Sequence, residues 1–485
     1  MMLLAPEVWS GKILVEKWTS GAAGSRAVVE PATGGQLGEI GMASTEDVVR
    51  ASARAAAAQR EWAVAPPAVR GAVLRRAGEL FEQYAEEIQD WLIREAGSIR
   101  PKAGLETDIA AAECFEASGL PTHPMGQVLP SGEPHWSFSR RRPAGVVSVI
   151  APFNFPLILS IRSVAPALAL GNAVLLKPDP RTAVSGGVVL ARIFQEAGLP
   201  DGLLSLLPGG PDVGEALVTA PEVSIVSFTG STRAGRAVGR TASEHLKRVH
   251  LELGGNNALI VLPGADLPKA ASAGAFGSFN HQGQICMTTG RHLIHESLYD
   301  DYVALLADKA TNLPIGNPAK ENVALGPIID AAQRDRIHDL VTRTVEAGAN
   351  LSAGGRFEDL FYRPTVLSAV TPDMPAYAEE VFGPVAPVLS FGSLDDAIKL
   401  AADSPYGLSL GILGDVGLAM TVADAVPAGI VHINEQTVGD EAQVPFGGVR
   451  TSGTGSRFGG AEANIEAFTD TQWLTVRPDI APYPF

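Results

Sequence analysis

Apolar positions along the chain first recur at helical spacing and then gather into short solid runs. Glu46 to Ala63 is rich in Ala and Arg, and Ala68 to Ala96 carries Val73, Leu74, Leu80, Phe81, Tyr84, Ile88 and Leu92 at near-helical intervals with charged residues between them. Both stretches predict helices with one buried face. From Gly145 the pattern changes. GVVSVIAP (Gly145 to Pro152), NAVLLKP (Asn172 to Pro178), GLLSLLPG (Gly202 to Gly209), VSIVSFTG (Val223 to Gly230) and RVHLELGG (Arg248 to Gly255) alternate with helical segments. Runs of that kind, spaced for crossover helices, predict a parallel sheet covered on both faces, as in a dinucleotide-type α/β domain.

A second alternation of strand-like and helical segments runs from Asn256 to about Phe446. Between the first helices and the first sheet lies PMGQVLPSGEPHWSFSRRRP, Pro124 to Pro143. It reads as a projecting hairpin turned at Ser131-Gly132, either an ordinary surface hairpin or an oligomerisation arm. No internal repeat or low-complexity tail stands out.

Composition narrows the class. A chain of 485 residues exceeds one hydrophobic core, so two or three domains are expected. The net charge of −16 disfavours nucleic acid and anionic lipid as partners, so an anionic cofactor must be held by a local arrangement. Cys114 and Cys286 are too few for a disulfide framework and point to a reducing compartment. The start, MMLLAPEVWSGK, lacks a basic segment followed by an apolar run, so no signal peptide is expected. Gly145 to Leu176, the most apolar region, is interrupted by Pro, Asn and Arg, so no membrane span is expected. A cytoplasmic location follows.

The two cysteines sit in different company. Cys114, in IAAAECFEAS, has a helical setting and reads as an inert buried thiol. Cys286 lies in FNHQGQICMTTG, a glycine-punctuated, amide-rich turn that is a poor core site and a good place to present sulfur to a ligand. His281 precedes it, but no hydrolase signature surrounds the pair. His292 and His295 lack a third ligand nearby, so no metal is expected.

Four further segments carry polar groups in unexpected places. In APFNFPLIL, Asn154 sits between aromatics after a predicted strand, as a turn-stabilising amide or a donor to a ligand. In LELGG, Glu252 ends an apolar strand, either salt-bridged or with a raised pKa that suits a general base. In FTGSTRAG a strand enters a helix through Gly230-Ser231-Thr232, a simple N-cap or a phosphate cradle that continues to Gly235. In EEVFGPV, paired acids precede a Phe-Gly-Pro turn and read by default as solvated loop charges.

Taken in order, APFNFPL, LLKP, FTGSTRAG, LELGG, the GQIC turn, EEVFGPV and VPFGG resemble the aldehyde dehydrogenase superfamily over almost the whole chain. IREAGSIRPK, RSVAPALALGNAVLLKPD, LPGG, GGNN, Ser456 to Gly460 and the terminal YPF are similar to its benzaldehyde dehydrogenase branch. The resemblance implies an α/β fold with a Rossmann-type cofactor domain (1–123 and 144–253), an α/β catalytic domain (254–446) and a small β oligomerisation arm (124–143 and 467–485). It implies that Cys286 is the nucleophile, Asn154 the oxyanion donor and Glu252 the base that activates water. It implies cofactor contacts from Lys177, Gly230, Ser231, Thr232, Gly235, Glu380 and Phe382. A substrate tunnel follows from Phe153, Leu159, Ile285, Met287 and Phe458, apolar and without charge. The expected activity is oxidation of a benzaldehyde-like aldehyde to the acid in a homodimer or homotetramer.

One position departs from the family. Where many NAD-preferring members carry Glu after the lysine motif, LKPDPRT has Pro180, which cannot accept the ribose hydroxyls. Asp179 can substitute, or Arg181 can instead accept a 2′-phosphate; the expectation is NAD, with NADP usable. The alternatives are a dehydrogenase that passes its thioester to coenzyme A, one acting on aliphatic or semialdehyde substrates, and a non-catalytic protein that keeps the fold.

Overall fold

The computed structural model describes residues 2–485. Each of the five apolar runs contributes a strand to one seven-stranded sheet. Its order is Arg248–Glu252, Val223–Thr229, Val146–Ile150, Ala173–Lys177, Leu204–Leu206, Lys12–Leu14, Trp18–Ser20. The first five strands pair in parallel, and Lys12–Leu14 and Trp18–Ser20 close the edge antiparallel. Val146–Ile150 and Ala173–Lys177 are buried at every position, which is why their sequences read as solid apolar runs rather than alternating ones.

The helix predicted at Glu46–Ala63 spans Thr45–Trp62 and begins with a capping box in which Ser44 and Asp47 satisfy each other's backbone N–H groups. The single helix expected over Ala68–Ala96 is instead two, Pro67–Gln83 and Ala85–Ala96. Tyr84 breaks it at φ −107°, ψ 19°, outside the helical region. The apolar spacing stays nearly in phase across that break, so periodicity alone does not reveal it.

A second seven-stranded sheet has the order Asn350–Ala353, Thr365–Ser368, Val385–Phe391, Thr289–His295, Asn257–Val261, Ser409–Leu413, Ile430–Ile433. Its first pair is antiparallel and the rest are parallel. Successive residues of strand Asn257–Val261 feed opposite cores: Ala258 and Ile260 pack into one apolar cluster, Leu259 and Val261 into the other. The hairpin is present as Gly126–Leu129 and Trp136–Pro143. Thr469–Val476 pairs along the whole length of its second strand, so the two arm segments form a single three-stranded sheet. No helix of the described residues is long and apolar enough to cross a membrane.

Candidate active site

The amide-rich turn is bent by its backbone. Helix Leu267–Phe279 ends, and His281, Gln282 and Gly283 follow with φ of 48°, 57° and 65°. Left-handed backbone at non-glycine residues costs about 1–3 kcal/mol each and persists only where the surroundings enforce it. Here the enforcing groups are visible. Gln282 Nε2 donates to the carbonyls of Gly97 and Pro327, and Gln284 Oε1 accepts from the Ile329 N–H at 3.1 Å. A Cβ on Gly283 would stand 2.1 Å from the Gly383 carbonyl oxygen, so the turn is pressed against the Phe-Gly-Pro loop. The His281 ring lies edge-on to Phe155 at 5.5 Å, with both nitrogens unpartnered. Cys286 emerges from this clamp partly exposed.

Its sulfur opens into a cavity of about 490 Å³ that Asn154 also lines. Asn154 is 3% exposed, and its Nδ2 donates to the Gln284 carbonyl at 2.8 Å. An amide nitrogen carries two protons, so one is anchored and one is left for a ligand. Leu159, Ile285 and Met287 line the same cavity, joined by Phe155 and Phe446, which the sequence reading did not select although both lie inside its quoted motifs.

Two residues assigned to the tunnel do not line this cavity. Phe458 is 2% exposed and packs against His250 and Phe468 in the core of the first sheet. The Phe153 ring instead has Phe382 edge-on at 5.9 Å and the Arg181 guanidinium 4.2 Å from its centre. Nor is the tunnel free of charge. Buried Arg162 lines it, its guanidinium 4.6 Å from the centre of the Phe446 ring and paired with Glu113 and Asp440.

Two carboxyls act on the sulfur's charge, Glu252 at the end of a first-sheet strand and Glu380 in the loop before Val385–Phe391 of the second sheet. Glu252 ends its strand with Oε2 accepting the Gly448 N–H at 3.2 Å, while buried Oε1 has no partner. Glu380 Oε1 accepts the Gly255 N–H at 3.0 Å. A Cβ on Gly254 would lie 2.1 Å from the Glu380 carboxylate, and one on Gly255 would lie 2.5 Å from the Cys286 carbonyl oxygen. The glycine pair of LELGG therefore lets three motifs meet.

Burial dominates the electrostatics. It pushes the Cys286 thiol up to about 12, with Glu380, Glu252 and Asp440 adding to the rise and Arg162 opposing it. Burial likewise pushes Glu252 up to about 8 against the Gly448 hydrogen bond, and Glu380 up to about 7. At neutral pH the resting site therefore holds its sulfur proton, and Glu252 titrates where a general base works best.

Residues suited to a dinucleotide lie beside this group. Ser231 caps helix Thr232–Glu244 by accepting from the Ala234 N–H, which leaves its own proton and the other first-turn N–H groups free for an anion. The Gly230 N–H donates to the Glu252 carbonyl, and a Cβ on Gly235 would meet Leu253 at 2.3 Å, so the helix start is packed directly against the LELGG strand. The Thr232 hydroxyl donates to the Thr451 carbonyl. Lys177 ends its strand 9% exposed, its pKa lowered by burial while Asp179 and Asp212 counteract. Phe382, at φ 53°, has its carbonyl held by Gln333. Arg181 is not available for a phosphate: both edges of its guanidinium are taken, by Asp179 at 2.8 Å and Asp330 at 2.6 Å.

The two histidines weighed as metal ligands are engaged elsewhere. His292 bonds Tyr302 and Ser278, and His295 bonds Ser297. Cys114 is fully buried with its thiol pushed up.

Comparison with known proteins agrees with this arrangement. The model of the "Aldehyde dehydrogenase family" matches residues 18–474. This chain belongs to the aldehyde dehydrogenase family. It is 65% identical to a vanillin dehydrogenase of an Amycolatopsis species over 100% of both chains. It is 47% identical to an NAD(+) benzaldehyde dehydrogenase of Pseudomonas putida over 99% of this chain and 98% of the relative. Among solved structures, a salicylaldehyde dehydrogenase of Pseudomonas putida G7, complexed with salicylaldehyde, superposes with TM-score 0.94 at 34% identity, covering 98% and 99% of the two chains. The betaine aldehyde dehydrogenase of Staphylococcus aureus with NAD+ gives 0.94 at 28% identity over 98% of this chain and 96% of that one.

Gly255→Ala tests the three-loop contact. Its Cβ displaces the Cys286 backbone, so kcat/KM should fall by about a hundredfold or more, while thermal melting shows a folded protein. Glu252→Gln tests the buried carboxyl. Because its folded pKa lies above the unfolded one, wild-type stability is lost as pH rises from about 4.5 through about 8. The variant escapes that loss, so its Tm should exceed the wild type's by a margin that widens by several degrees from pH 5 to pH 8.5.

Proposed function

We propose that this enzyme oxidises an aromatic aldehyde to its carboxylic acid with NAD, by way of a thiohemiacetal and then a thioester on Cys286. The observation that carries the reading is a single cavity, walled by Phe155, Phe446 and Leu159, with Cys286 and the Asn154 amide at its head. A flat ring suits those walls. Arg162 and Asp440 give the cavity a polar side, which supports rings bearing a hydroxyl or methoxyl group, and the vanillin and salicylaldehyde dehydrogenases among the relatives agree.

Ionised Glu252 takes the proton from Cys286, and the thiolate attacks the aldehyde carbon. The developing oxyanion accepts hydrogen bonds from Asn154 Nδ2 and the Cys286 backbone N–H; one such donor is worth about 3–4 kcal/mol of barrier. Bound nicotinamide supplies the acceptor for the hydride that leaves the carbon. Glu252, after losing its proton to solvent, accepts one from the water that attacks the thioester, and the acid departs. A carboxyl placed for that second duty favours hydrolysis over transfer to coenzyme A.

On the cofactor side, Lys177 and Glu380 serve the two riboses and Ser231 the pyrophosphate. Residues 1–123 and 144–253 form the cofactor domain and 254–446 the catalytic one. Asp179 and Asp212 beside Lys177, with Arg181 consumed, oppose a 2′-phosphate. Val128, Trp136 and Trp473, 66%, 65% and 71% exposed on the three-stranded arm, support assembly into a homodimer or homotetramer through that sheet.

An aldehyde panel read by NADH absorbance should rank vanillin, benzaldehyde and salicylaldehyde above hexanal in kcat/KM, with all turnover lost in Cys286→Ala. Hexanal on top would overturn the aryl reading. With the best aldehyde, kcat/KM for NAD should exceed that for NADP by more than about tenfold, a difference of about 1.4 kcal/mol; parity would mean that Asp179 and Asp212 do not exclude the phosphate.

A further inference from the structure

Beneath the Asn154 loop lies a buried ion pair that the reaction as described does not use. Lys102 and Glu106 sit one turn apart on helix Arg100–Gly119 with side chains 1% and 0% exposed, paired with each other. Two charges removed from water are costly to hold and rarely stabilise more than well-packed apolar residues would. Apart from one bond to Ser98, their remaining bonds go to one place. Lys102 Nζ donates to the Asn154 carbonyl at 2.8 Å and to Ser98 Oγ at 3.1 Å, and lies 4.2 Å from the centre of the Phe155 ring. Glu106 Oε2 accepts the N–H groups of Leu157 at 3.1 Å and Ile158 at 3.4 Å, the first turn of helix Pro156–Ala169. Carbonyl 154, ring 155 and amides 157 and 158 are thus gripped by one salt bridge. That grip fixes both the backbone from which the Asn154 amide projects and the aromatic wall beside the sulfur.

We propose that Lys102 and Glu106 are positioning residues for the oxyanion donor: they touch no reacting atom and act by holding Asn154 in register with Cys286. The inference rests on the proposed oxyanion role of Asn154. It also gives a task to IREAGSIRPK, which ends at Lys102 and otherwise marks only a likeness to one branch. Position matters here because a displacement of about 1 Å at a reacting group costs up to about a hundredfold in rate.

The test is a double-mutant cycle in the full-length enzyme with its best aldehyde and NAD. Asn154→Ala should lower kcat by about 10²–10³-fold. Lys102→Met should lower it by about ten- to a hundredfold in the wild type, yet by less than about threefold in the Asn154→Ala background, because its partner in the effect is already gone. NAD affinity, measured by fluorescence quenching, should change less than about twofold, since the cofactor cradle lies on other elements. If the lone carboxyl left by Lys102→Met prevents folding, Lys102→Met/Glu106→Gln removes both charges and carries the same expectations. An Asn154→Ala enzyme as fast as wild type overturns the oxyanion reading and the brace with it. A slow Asn154→Ala enzyme combined with a full Lys102→Met loss in both backgrounds, or with no Lys102→Met loss at all, overturns the brace alone.

Discussion

Three loops meet at Cys286 through glycines that add no side chain of their own to the contact, and the site depends on it. Gly254 lies on the Glu380 carboxylate, Gly255 on the cysteine carbonyl, and Gly283 on the Gly383 carbonyl. Side chains at these points would push Glu252, Glu380 and Cys286 onto separate paths. The left-handed turn at 281–283 is what this close approach demands, and the side chains of Gln282 and Gln284 hold it by bonding to segments far away in the chain. Local strain at the nucleophile is therefore offset by tertiary bonds, and sheet packing transmits its position.

The same closeness sets the charge balance. Carboxyls at 252 and 380, with Asp440 nearby, surround a thiol that Arg162 alone counteracts. Such a site holds the thiol proton until pH or a ligand alters the field, and a protonated thiol is less reactive than a thiolate. Arg162 is itself stapled by Glu113 and Asp440, so it tunes the pocket without sweeping into it.

Much of this was legible in the residues. Strand positions follow from solid apolar runs, because burial on both faces leaves room for few polar residues, such as Ser148 and Ser205. Cys286 was marked by its company, since amides and glycines make sense around a thiol only if the backbone must bend and be held. Asn154 and Glu252 were marked as polar groups in apolar settings. What escaped notice depends on long-range partners. Phe458 lies inside a quoted stretch, Ser456 to Gly460, but packs with His250 and Phe468 in the first core. Phe153 neighbours Asn154, yet its ring turns to Arg181. The charged wall of the cavity needs Arg162 and Asp440 to meet across the fold, and no local pattern announces such a pairing.

The sheet of the arm has a consequence for how the chain is made. Its third strand, Thr469–Val476, pairs with Trp136–Pro143 from the far side of the sequence, and Trp473 reaches Ser137 at 2.9 Å. On a ribosome the hairpin emerges long before the strand that covers it. Through that interval an open β-edge, bearing Trp136, stands ready to pair with any other nascent chain. The arginine-rich run Arg140 to Arg142 on that edge then reads as a gatekeeper, keeping like-charged copies apart until the late strand brings Gln472 and Asp470 opposite it.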